Sequence, residues 1–320
     1  MQVAVLGPAG FGGSNVCVEL LNRGHKVTGI SRNPEKIGRH DRFRPYPLDL
    51  LTASIAQLIE AFEGQDAVIN AFNPPGGPDM YRNFVETTRR LVVAAKAAKV
   101  PYFIMIGGTG SLYLGEKGDP HATCADSREF WLAYRRAVAD SEAATYHMEE
   151  RLGFDSPMAK GMRAYRQARL AQSAGKANEA ELRTIKEVED PIAYGLNPIP
   201  DLPLAARASF QMFDGNPSFR WSFVSPPGMY RPGPRTGKYE VHRDIAPLNN
   251  GPPNTSDKTS SEFSASGGNR YEGRLGGITA ADLGVAIAEE VEKQEKVGWH
   301  WSATAELVED QAVGSYVTLS

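Results

Sequence analysis

The sequence predicts an α/β fold, a doubly wound parallel sheet with a helical insertion. Three observations carry that prediction. Short β-branched, apolar runs alternate with helical patterns over the first hundred or so residues. The runs are apolar almost throughout, as strands covered by helices on both faces must be. A glycine-rich turn joins the first run to the first helix.

The elements follow in order. Residues 2–6 (QVAVL) read as a buried strand, and the glycine turn leads into a helix from about Ser14 to Arg23, ended by Gly24. KVTGI (26–30) is the second strand, Pro34 opens a short helix, and Pro45 to Leu50 are extended. Thr52 to Phe62 is an amphipathic helix, and Asp66 to Phe72 (DAVINAF) a strand. A long helix begins at Pro78, with Met80, Phe84, Leu91, Ala95 and Ala98 close to a 3.6-residue period. YFIMIG (102–107) is the next strand.

Beyond Gly118 the character changes. Residues 127–190 are rich in Ala, Arg, Glu and Lys and predict helices over about 127–152, 156–173 and 176–188. The sheet resumes at WSFVSPP (221–227) and GKYEV (237–241). Residues 244–277 are dense in Asn, Gly, Pro and Ser and predict a flexible loop. Thr279 and Asp282 have capping-box spacing before a helix through Lys293, and 298–303 close as a strand. The expected organisation is a dinucleotide-binding core over 1–126, a helical insertion or lid over 127–195, and completion of the core with the substrate side over 196–320.

The firmest chemical signal is GPAGFGG, Gly7 to Gly13. Gly7, Gly10 and Gly13 stand at the spacing a Rossmann-type turn needs: one glycine turns the chain, one lets backbone approach a pyrophosphate, one lets helix pack on strand. Phe11 and Gly12 complete the turn before the helix, whose free N–H groups and dipole attract phosphate. At the end of strand two, where an NAD-binding domain usually places a carboxylate, the chain has Ser31-Arg32-Asn33, with Arg32 nineteen residues beyond Gly13. An arginine there suits the 2′-phosphate of NADP(H), and Lys36 and Arg39 add charge; a solvated basic turn is the plainer alternative. Asp49 and Leu50 are placed to meet an adenine. Asn70, Ala71 and Phe72 end the fourth strand at the edge where open α/β sheets bind ligands.

Composition narrows the partners. With 320 residues, a formal net charge of −3 and 41% apolar residues, nothing points to nucleic acid or an anionic membrane. No apolar run has the roughly 18 residues of a membrane span, and no secretory signal is evident at Gln2. The two cysteines, Cys17 and Cys124, form no disulfide framework, so a reduced cytoplasmic setting is expected. His121 and Cys124 lack a second pair to complete a zinc site, and no metal is expected. The partner is expected to be a small-molecule substrate, with a homodimer left open.

VLGPAGFGG, SRNPEK, LDL (48–50), DAVINAF, FIMIGGTGSL, WSFVSPPGMYRPGPRTGKYEV and the Ile278–Leu283 helix start resemble an atypical, NmrA-like short-chain dehydrogenase/reductase. The likeness is to the NADH–flavin reductase branch, similar to biliverdin reductase B, and covers about 1–117, 200–241 and 278–305. The 127–190 helices and the 244–277 loop depart from it. The resemblance implies an NAD(P)-binding fold in which Gly107, Gly108 and the residues to Ser111, with Pro226 and Pro227, line the nicotinamide side. Tyr113 to Lys117 fits the Tyr-x-x-x-Lys dyad of such reductases, but Tyr113 follows Ser111 by two residues where the family spaces them by about a dozen. Ser111 and Tyr113 are nevertheless the catalytic candidates, and Met229-Tyr230 the candidate pocket wall. The expected function is NADPH-dependent hydride transfer to a conjugated planar acceptor: a flavin, a quinone or an aromatic metabolite. A non-catalytic NADP(H)-sensing regulator and an isomerase or lyase on the same fold are the alternatives.

Overall fold

The structure is a computed structural model and describes residues 1–115, 119–195, 201–249 and 269–319. Its strands are β1 (Gln2–Leu6), β2 (Lys26–Ser31), β3 (Phe43–Pro47), β4 (Ala67–Asn70), β5 (Phe103–Ile106), β6 (Trp221–Val224), β7 (Met229–Arg231), β8 (Glu240–Arg243), β9 (Gly277–Thr279) and β10 (Trp299–Thr304). The helices are α1 (Phe11–Asn22), α2 (Ile55–Phe62), α3 (Met80–Ala97), α4 (Arg128–Asp140), α5 (Glu142–Leu152), α6 (Pro157–Ser173), α7 (Glu179–Ala193), α8 (Asp201–Phe210) and α9 (Ala280–Lys293).

Eight strands form one sheet in the order β3-β2-β1-β4-β5-β6-β10-β8. Every neighbouring pair is parallel except the edge pair β10 and β8. This is the doubly wound topology, with strand order reversing about β1 and β4. Strand alternation divides the core. Val3 and Val5 face α1 and α9 together with Ile104 and Trp301, while Ala4 and Leu6 face α2, α3 and α8 with Val68, Phe103 and Phe223. All nine of these strand side chains are fully buried, so both layers are needed to dry the sheet.

Several boundaries differ from the predicted ones. Helix α1 begins at Phe11 rather than Ser14, because Gly12 and Gly13 already belong to its first turn. The third strand ends at Pro47, which leaves Leu48 to Leu50 outside the sheet. The first insertion helix is two helices, broken at Ser141, whose hydroxyl accepts from the N–H of Ala144 and so caps α5. Helix α8 was not predicted, nor was the small parallel sheet of β7 and β9. Thr279 caps α9 as expected, but Asp282 does not complete the box: its carboxylate accepts from the N–H groups of Thr236 and Gly237 instead. Of the loop predicted over 244–277, residues 250–268 lie outside the described residues. Its flanks are packed: Tyr271 is fully buried against Phe130, and Asp244 and Ala246 bond to the Tyr113 backbone. The Tyr271 side chain packs in an apolar cluster with Leu112, Phe130 and Trp131 and so anchors that flank.

Candidate cofactor site

After each parallel strand the chain leaves the sheet at one edge, and the glycine turn sits at its centre. Gly7 has φ +76°, a left-handed conformation suited to glycine. A Cβ on Gly13 would lie 2.1 Å from the Gly7 carbonyl oxygen, so helix and turn touch backbone to backbone. Gly10 donates to the Gly7 carbonyl oxygen at 3.1 Å, closing the turn. Helix α1 then starts without a side-chain cap, whereas serines cap α2, α4, α5 and α6. Its first N–H groups are left for an anion, and the missing Cβ atoms keep the approach clear. These residues fit a dinucleotide pyrophosphate.

A cleft runs from this turn toward β2 and β3. Its lining includes Gly7, Gly10, Ser31, Arg32, Asp49, Leu50 and Phe72, all singled out from the sequence, together with Ala9, Asn33, Lys36, Leu48, Leu51 and Pro75. Arg32 and Lys36 are exposed, and neither forms an ion pair among the described residues. Asp49 shapes its own loop, accepting from the N–H of Leu51 at 3.0 Å. Asn70 is buried beneath the cleft floor: its amide contacts the Met105 sulfur, and its carbonyl accepts from the N–H of Phe72. It therefore positions Ala71 and Phe72.

The predicted nicotinamide side lies beyond β5 and β6, outside this cleft lining. Gly107 and Gly108 follow β5 and are partly exposed. A Cβ on Gly107 would strike the Phe223 ring at 2.1 Å, and one on Gly108 would meet Ala206 of α8 at 3.2 Å. The glycines there admit core packing. The Pro226 and Pro227 carbonyls accept from the Thr109 hydroxyl at 2.8 and 3.2 Å, pinning the two loops together. Ser111 is fully buried, with its hydroxyl 2.7 Å from that of Ser225 and 3.2 Å from His300 Nε2. It also donates to the Gly108 carbonyl, so it is directed into the fold. Burial, with the positive charge of Arg207, holds His300 down to about 3. Tyr113 is partly buried, its ring under the Arg207 guanidinium at 5.3 Å, and Lys117 lies outside the described residues.

The insertion reaches the site at a residue not anticipated. His147 of α5 stacks on Phe11 with ring centroids 4.0 Å apart, and Tyr230 holds the same ring at 4.8 Å. A Cβ on Gly12 would come within 3.1 Å of the Tyr230 hydroxyl. The side chain of Phe11 thus locks the first turn of α1 to α5 and β7. His147 is buried, its Nδ1 has no hydrogen-bond partner, and burial with the nearby Arg151 charge lowers it to about 4. A histidine on a polar helix distant in sequence carries no local signal that would have placed it here. Among the described residues no three His, Cys, Asp or Glu side chains converge as a metal-ligand set, and no helix is long and apolar enough to cross a membrane.

Residues 7–152 match the family model described as NAD(P)H-binding. An uncharacterised Bacillus subtilis protein, YwnB, is 32% identical over 117 residues, 36% of this chain and 51% of its own. A 4-hydroxy-tetrahydrodipicolinate reductase of Natronomonas pharaonis is 36% identical over 110 residues (34% and 35%). Cinnamoyl-CoA reductase 1 of Oryza sativa is 32% identical over 142 residues (40% and 41%). The chain spans about half or less of the length of these relatives. Among solved structures, a candidate epimerase of Bacteroides thetaiotaomicron superposes with TM-score 0.59 at 21% identity, over 96% of this chain and 98% of that one. A candidate NADH-flavin reductase of Streptococcus pneumoniae gives 0.56 at 18%, over 96% and 100%. At such identities the likeness carries the fold. The molecule has a Rossmann-type fold, and its residues 7–152 resemble the NAD(P)H-binding family. The matches agree with the NAD(P)-binding fold that the resemblance implied.

Proposed function

We propose that the chain is an NADPH-dependent reductase that transfers hydride to a conjugated planar acceptor such as a flavin, a quinone or an aromatic metabolite. One observation carries the cofactor choice. Arg32 and Lys36 rim the cleft without ion-pair partners among the described residues, where an NAD site would hold a carboxylate. The α1 N-terminus suits the pyrophosphate, and the two cations suit a 2′-phosphate. When bound, the nicotinamide supplies the hydride. The protein's part is then to orient and to exclude water. Phe11, His147 and Tyr230 form a wall beside the α1 turn that serves both. A conjugated acceptor spreads the charge it receives, so the reaction does not require the dyad. A second reading, a non-catalytic NADP(H)-sensing regulator, is favoured by the inward direction of the Ser111 hydroxyl.

Stopped-flow oxidation of NADPH against a panel of quinones and flavins tests the proposal. Turnover with at least one acceptor is expected. Tight NADPH binding with no turnover on any of them sinks the reductase reading and leaves the sensor.

A further inference from the structure

The segment that follows β10 makes a path no function so far uses. Asp310 accepts from the Ser141 hydroxyl at 2.7 Å and from the Ala143 N–H at 3.0 Å, holding the start of α5. The N–H of Ser315 donates to Glu150 at 2.9 Å, near the end of the same helix. The chain then crosses α1, where the Val317 N–H donates to the Ser14 hydroxyl at 3.3 Å. It ends on the turn behind the cleft: the Leu319 N–H donates to the Ile37 carbonyl at 2.6 Å, and Leu319 bridges to Gly38 in parallel. Gly38 has φ +109°, and a Cβ there would lie 2.3 Å from the Leu319 carbonyl oxygen. The contact is therefore a close backbone approach that a side chain at 38 would block.

The turn it grips is Pro34–Ile37, a single 3-10 turn with no side-chain cap of its own. Such short turns hold their geometry weakly by themselves. Lys36 belongs to the turn and Arg32 precedes it, both at the cleft. We infer that residues 315–319 act as a specificity strap, holding Arg32 and Lys36 in the arrangement that accepts a 2′-phosphate. The inference rests on the NADPH reading above. Without the strap the two long cationic side chains and their turn must be ordered by the ligand itself, which weakens binding of the 2′-phosphate alone. The pyrophosphate site, built from Gly7 to Gly13, keeps its own geometry.

Isothermal titration with 2′,5′-ADP and 5′-AMP separates the two contributions without any turnover. The proteins are the full chain, a chain ending at Gly314, and Leu319→Pro, which removes the N–H that reaches Ile37 together with the leucine side chain packed beside it. Thermal melting checks that each is folded. Both variants are expected to lose roughly fivefold to tenfold in affinity for 2′,5′-ADP, with 5′-AMP held within about twofold. Unchanged 2′,5′-ADP binding in folded Leu319→Pro overturns the strap, and so does an equal loss for both ligands. A wild-type chain that binds 2′,5′-ADP no tighter than 5′-AMP overturns the cofactor reading first, and the strap with it.

Discussion

Gly13 approaches Gly7 so closely that a methyl group on Gly13 would fall 2.1 Å from the Gly7 carbonyl oxygen. Helix α1 can meet β1 at this angle only because Gly13 has no side chain. Gly13→Ala must push the helix away from the turn or distort the turn. The expected outcome is a loss of about 1–3 kcal/mol of stability, in the range for overpacking. NADPH affinity should fall more than about tenfold, because the helix N–H groups move with the helix. Melting and fluorescence titration measure both; an alanine variant that binds and melts like the wild type contradicts the geometry.

Arg32→Glu tests the cofactor preference directly. A charge-assisted bond to phosphate contributes on the order of 1.5–3 kcal/mol, so NADPH affinity should drop about tenfold to a hundredfold. NADH affinity should change little. Equal losses for the two cofactors mean that Arg32 does not meet a 2′-phosphate.

His300 predicts an acid-sensitive fold. Its ordinary value is 6.5, and burial, aided by Arg207, holds it to about 3 in the folded protein. Above pH 6.5 both folded and unfolded chains carry it neutral, and it contributes nothing to the pH dependence. As pH falls from 6.5 toward 3 the unfolded chain takes up a proton that the folded one refuses. Stability should therefore fall by about 1.4 kcal/mol per pH unit through that window from this residue alone. His300→Gln should flatten the slope in urea titrations run between pH 7 and pH 4. An unchanged slope removes His300 as the cause.

Ser111→Ala separates a structural from a catalytic role. The hydroxyl lies among Gly108, Ser225 and His300 with no exposed surface. Its removal deletes these contacts while Ser225 and His300 keep each other at 3.0 Å, so the expected loss is about 0.5–1.5 kcal/mol of stability. NADPH affinity should stay within about twofold. A fall in hydride transfer beyond about a hundredfold in a variant that still melts cooperatively would place Ser111 on the acceptor after all.

Much of the cleft lining was legible because its determinants are local. The glycine spacing, the arginine after β2 and the Asp49-Leu50 corner each depend on chemistry within a few residues of a strand end, and all line one cleft. Asn70 was legible as a strand end but not as a buried support, since nothing in DAVINAF shows which way an amide turns. The Gly107-Gly108 pair read as a ligand loop, yet the ring of Phe223 and Ala206 of the unpredicted α8 press on it from more than ninety residues away.

From the sequence alone the doubly wound sheet and the glycine turn between β1 and α1 could be read. Those follow from hydrophobic period and backbone sterics, which act between near neighbours. Packing between distant segments set that Ser111 points into the fold, that His147 of a polar insertion helix stacks on Phe11, and that Leu319 lies against Ile37 and Gly38. Each of these is a contact across a long stretch of chain, chosen by which surfaces the packed layers bring together, and no local pattern encodes it.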